Sequence, residues 1–97
     1  MMNTYLEIIS NQKIKTIAYV NITFKDDQMI LNFQRGLTHN EKLKINLNEI
    51  IYVAKTSLIG GNTFTFNYRD DRITIYEDGL AITNFLENHF KYCMVEI

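Results

Sequence analysis

An α+β domain, a sheet of about seven antiparallel strands followed by one C-terminal amphipathic helix, is predicted by three observations. Isoleucine, threonine and valine make 26 of 97 residues, joined by six Tyr and six Phe, against only three Ala. β-branched and aromatic side chains lose little freedom on a pleated surface, and an alanine-poor chain is a poor helical bundle. Apolar and polar residues alternate with period two through much of the chain. Near residue 79 the period changes to that of a helix.

Tyr5–Ile9 reads as a first strand. The clearest signal follows, around Asp26-Asp27. Ala18, Val20, Ile22 and Phe24 are apolar on one side, and Met29, Leu31 and Phe33 on the other. A two-residue turn at Asp26-Asp27 sets Phe24 against Met29, Ile22 against Leu31 and Val20 against Phe33, all on one face. A slip by one residue destroys that agreement. Residues 36–41 read as a loop. Leu43, Ile45 and Leu47 then alternate with Lys42, Lys44 and Asn46, a strand with one wet face, and Asn48-Glu49 ends it. Ile50–Ala54 is apolar without alternation, as expected of a strand covered on both faces. Leu58–Asn62 reads as a loop whose glycines accept positive φ. A second hairpin is predicted at Asp70-Asp71, with Tyr68 opposite Ile73 and Phe66 opposite Ile75. Ile82, Phe85, Leu86, His89, Phe90 and Cys93 form one stripe of a helix over 79–92, for which Asp78 is the expected N-cap. With no proline anywhere, Gly, Asn and Asp must make the turns.

Length and composition fit one domain over 1–97. Ten basic and 11 acidic residues give a net charge of −1, which offers no bulk electrostatic drive toward nucleic acid or an anionic membrane. A single cysteine precludes an intrachain disulfide and suits a reducing compartment. No apolar run reaches the ~20 residues of a membrane-spanning helix. The first residues lack the basic and apolar regions of a signal peptide, so a cytoplasmic location is expected. Abundant Ile, Asn and Lys with few Ala and Arg point to an AT-rich microbial genome.

The order of strands and helix resembles the pleckstrin-homology superfold, above all its GRAM-like and bacterial members. The resemblance rests on Leu43–Val53, a short strand, a hydrophilic step and an Ile-x-x-Val strand, and on the hairpin at 63–76 running into the helix. It implies a partly open barrel of two antiparallel sheets with the helix closing one end, and a role in binding lipid, peptide or protein or in pure scaffolding.

No catalytic set emerges, and neither an enzyme nor a cofactor is expected. His89 and Cys93 lie four apart on the helix, but both fall on its apolar stripe and no third ligand accompanies them. Gly60-Gly61 lacks the spacing of a phosphate loop. The paired aspartates are explained by turns. Phe64, Phe66 and Tyr68 alternate as a core face rather than as a stacking platform, so nucleic acid is not an expected partner. Asn21-Ile22-Thr23 matches a glycosylation sequon but falls within a strand.

What remains is a binding or interaction module for a protein partner or a second copy of the chain. By resemblance to peptide-binding members, its groove lies beside the helix and strand 50–56, which makes Ile50, Tyr52 and Lys55 the candidate contacts. The alternative is a lipid head group or small anion held by Lys13 and Lys15 in the loop after the first strand. Two lysines without an arginine supply too few charge-assisted bonds for a phosphoinositide.

Overall fold

The computed structural model describes residues 2–35, 39–50, 53–58, 61–77, 80–90 and 94–96. Four strands come first: β1 (Met2–Ile9), β2 (Lys15–Lys25), β3 (Gln28–Arg35) and β4 (His39–Asn46). A 3-10 turn over Leu47–Glu49 leads to β5 (Val53–Leu58), β6 (Gly61–Tyr68) and β7 (Asp71–Tyr76). The helix α1 (Leu80–Phe90) and a short β8 (Met94–Glu96) complete the order.

The eight described strands form one curled sheet in the order β4-β3-β2-β1-β7-β6-β5-β8, with no separation into the two sheets expected. The reason is β1. It pairs along its whole length with β2, and its second half also pairs with β7, Leu6 opposite Ile75 and Ile9 opposite Arg72. Two meanders are thereby joined through one shared strand.

The first hairpin has the predicted register, Phe24 to Met29, Ile22 to Leu31 and Val20 to Phe33. Asp26 takes a positive φ of 54° in its turn, a conformation that a short polar side chain tolerates better than most. The backbone N–H of Leu47 donates to the Asp27 carbonyl at 2.8 Å, which ties the 3-10 turn to this hairpin.

The second hairpin departs from expectation. Its turn residues are Arg69 and Asp70, so Tyr68 meets Asp71, Phe66 meets Ile73 and Phe64 meets Ile75. A shift of two residues leaves every side chain on the face it already had, and hydrophobic alternation cannot detect it. Arg69, at φ 56°, takes the left-handed position that Asp26 holds in the first hairpin.

Other elements also differ from expectation, β1 beginning at Met2 and the strands β5 and β6 taking in Leu58, Gly61 and Asn62 of the expected loop. β4 begins at His39, inside the segment read as a loop. Of the strand expected over Ile50–Ala54, Val53 and Ala54 open β5, which continues to Leu58; Ile50 closes the 3-10 turn, and Ile51 and Tyr52 lie outside the described residues. β8, which alternation over three residues cannot signal, runs parallel to β5. Asp78, Cys93 and the Phe85 side chain also lie outside the described residues.

One face of the sheet makes the core. Leu6, Val20, Ile22, Leu31, Ile73 and Ile75 are fully buried in a single cluster with Phe64, Phe66 and Tyr68. The aromatic row of β6 is therefore the core face predicted. Leu86 and Phe90 bring the helix onto this face. The Phe90 ring meets Phe24 and Phe66, each at 5.8 Å between centroids, and so bridges β2 and β6 across the curl. Lys55 on β5 forms an ion pair with Glu87 of the helix, and Asn62 bonds Glu77 at the strand end that precedes it.

Two predictions follow from this packing. Phe90→Ala removes the ring that bridges the curl and should lower the unfolding free energy by about 3–5 kcal/mol in chemical denaturation; a loss below about 1 kcal/mol would contradict its bridging role. Asp26→Val forces a β-branched side chain into positive φ and should cost about 1–2 kcal/mol, whereas Asp26→Gly should cost less than about 0.5 kcal/mol.

Candidate binding surface

Because side chains alternate along a strand, burial of one face leaves the other outside. The outer face carries more apolar surface than its sequence phase suggests. Tyr5 is 53% exposed, Ile17 61%, and Tyr19 and Tyr76 37% each. Register explains their grouping: Tyr5 lies directly opposite Tyr19, and Glu7 opposite both Ile17 and Thr74. The Tyr5 and Tyr19 rings meet edge to face, 4.8 Å apart with 63° between planes. Beside them, Glu7 accepts a hydrogen bond from the Tyr76 hydroxyl at 3.4 Å and an ion pair from Lys15 at 3.2 Å.

Ile9 and Ile30 also lie on this face, half-buried, among mostly polar neighbours. The Asn21 side-chain amide donates to Asn3 at 2.8 Å, so the sequon asparagine is nearly buried within the sheet surface. Thr65 and Thr74 share a hydroxyl–hydroxyl bond at 3.1 Å. Lys42 and Lys44 are exposed on β4, a sheet edge, where lysines discourage pairing with another chain.

At one end of the face stands the loop between β1 and β2. The Ser10 N–H donates to the Ile14 carbonyl at 3.0 Å, the Lys13 N–H to the Ser10 carbonyl at 2.9 Å, and the Ile14 N–H to the Ser10 hydroxyl at 3.2 Å. This closure puts Lys13 at φ 65°. Lys13 and Arg72 line one cleft of ≈ 360 Å³, together with Ile9, Asn67 and Asp70. A neighbouring cleft of ≈ 430 Å³ is bordered by Ile8, Ile14, Thr16 and Asp71.

The two sequence-derived lysines therefore part. Lys13 faces a cleft, while Lys15 lies on the strand surface in its pair with Glu7. Arg72, absent from the sequence reading, stands beside them because β1 pairs with β7, 63 positions after Ile9. No local pattern announces that neighbour. Ile17 and Tyr19 did leave a signal, as apolar residues in the polar phase of β2.

The groove beside strand 50–56 is arranged differently from the expectation. Ile50 is buried, at 5% exposure, and so cannot offer its side chain to a partner. Tyr52 lies outside the described residues. Lys55 is engaged by Glu87, and the edge of Val53–Lys55 is already paired with β8. The chain's own C-terminal strand occupies the position assigned to a ligand strand.

His89 stacks on Phe24 at 4.0 Å and 13°, and among the described residues no three of His, Cys, Asp and Glu converge as metal ligands. No described helix is long and apolar enough to cross a membrane.

Glu7→Gln removes the carboxylate from the Lys15 pair yet keeps its shape. Surface ion pairs contribute about 0–1 kcal/mol, so the variant should unfold within about 1 kcal/mol of the parent in urea titration. A loss above about 2 kcal/mol would mark the pair as part of the core.

No known protein family, no curated protein and no solved structure matches this chain.

Proposed function

We propose that this chain is a non-catalytic binding module of pleckstrin-homology-like architecture whose partner is another protein, met on the outer face of β1, β2 and β7. The observation that carries this reading is the group Tyr5, Ile17, Tyr19 and Tyr76, exposed together on three adjacent strands. Contiguous apolar surface on a folded protein marks a contact site more often than scattered exposure does, and tyrosine suits such sites because its ring packs while its hydroxyl bonds. A four-strand meander, a three-strand meander and a helix over the inner face agree with the architecture that the sequence resembles.

A second reading, a small anion or lipid head group in the cleft, is favoured by Lys13 and Arg72 lining it together. Asp70 lines the same cleft and opposes a multiply charged anion, so the protein partner leads.

Affinity capture from lysate of the producing cells, with mass spectrometry, tests the reading. The parent chain should recover one stoichiometric protein, and a Tyr5→Ser/Tyr19→Ser variant with unchanged circular dichroism should lose it. Equal recovery by both would remove this face from consideration. If light scattering instead shows a dimer that the double substitution dissociates, the partner is a second copy.

A further inference from the structure

The chain as a whole is slightly acidic, at a net charge of −1. Its outer sheet face is not. Alternation places Lys15 and Lys25 of β2, Lys42 and Lys44 of β4 and Arg72 of β7 on that face, all five exposed. Among the described strand positions of the same face, Glu7 is the one carboxylate, and it already neutralises Lys15. The described aspartates fall elsewhere, in the turns at 26–27 and 69–70 and at the start of β7, and Glu87 lies on the helix over the inner face.

Protection of a sheet edge accounts for Lys42 and Lys44. It does not account for Arg72, whose strand is paired there on both sides, with Ile9 and with Asn67; Lys15 and Lys25 are each paired on one side, with Ile9 and with Gln28. Lys15 and Lys25 stand at opposite ends of the 11-residue β2, roughly 30 Å apart at the rise of a strand. Tyr19 lies between them, with Tyr5 beside it on β1. The cationic residues thus frame an aromatic centre along the length of β2.

We infer that the partner presents an acidic surface, a protein segment in which aspartate or glutamate side chains flank apolar ones. This rests on the reading of the outer face as a protein contact, and it names that partner's chemistry. The apolar side chains pack on Tyr5, Tyr19 and Ile17 while the carboxylates meet Lys25, Arg72, Lys42 and Lys44, so that each sign faces its opposite. Single-stranded nucleic acid is the other polyanion to weigh. Successive bases stack on aromatic faces. Here the Tyr5 and Tyr19 rings stand at 63° to one another, edge to face, and do not present a parallel pair.

The test uses the full chain and three fluorescent probes: a short peptide alternating Glu with Leu, the same peptide with Gln for Glu, and a short oligo-dT. Fluorescence anisotropy at about 0.15 M salt, where the Debye length is about 8 Å, should show the Glu peptide binding at least about tenfold tighter than the Gln peptide. Lys25→Glu/Arg72→Glu, checked for folding by circular dichroism, should weaken the Glu peptide by about tenfold or more and leave the Gln peptide unchanged. Equal affinity for the two peptides, or no response to the charge reversals, overturns the inference. Tighter binding of oligo-dT than of the Glu peptide overturns it in favour of nucleic acid.

The outcome is separable from that of the underlying reading. If Tyr5→Ser/Tyr19→Ser abolishes capture of the cellular partner while Lys25→Glu/Arg72→Glu does not, the protein contact stands and its acidic character falls. If neither pair alters capture, the contact itself is misplaced.

Discussion

The structure depends on one strand making two sets of hydrogen bonds. β1 is a long partner to β2 and, over its second half, a partner to β7. Without it the chain is two separate meanders, each with an apolar face and nothing to lay it against. Leu6 sits where both ladders overlap, opposite Ala18 on one side and Ile75 on the other, and is fully buried. The contact between β1 and β7 closes a loop of more than 60 residues, so its entropic cost is recovered only when the inner faces of both meanders meet in one core.

Closure of that core falls to the helix. A curled sheet brings the inner side chains of β2 and β6 toward each other but leaves the mouth open. Phe90 fills the gap by touching Phe24 and Phe66, while the Lys55–Glu87 pair fastens the helix to β5. β8 then returns along the free edge of β5. The two devices have a shared consequence: the edge of β5 over Val53–Lys55 and the Lys55 side chain are both engaged by the chain itself.

That outer face has its own logic. The strands that need β-branched and aromatic residues for pairing offer them on both sides, and where three such strands adjoin, tyrosines and an isoleucine gather in the open. The Glu7 carboxylate holds Tyr76 and Lys15 in place among them. The same β1–β7 pairing that closes the core brings Arg72 beside the loop of Lys13, so fold and surface chemistry share one cause.

Much of this was determined by the sequence alone. Alternation around Asp26-Asp27 specified the first hairpin to the residue, because a buried inner face penalises any odd slip. The aromatic row of β6 and the burial of Leu86 and Phe90 were legible for the same reason: period and polarity are local properties. Tertiary structure decided what period cannot encode. An even shift moved the second turn to Arg69-Asp70 without changing any face. The continuity of the sheet through β1, the parallel return of β8, the burial of Ile50 and the cleft that Lys13 and Arg72 both line depend on residues far apart in the chain. Such contacts form only when the inner faces of distant strands are buried together, and no stretch of sequence carries that information by itself.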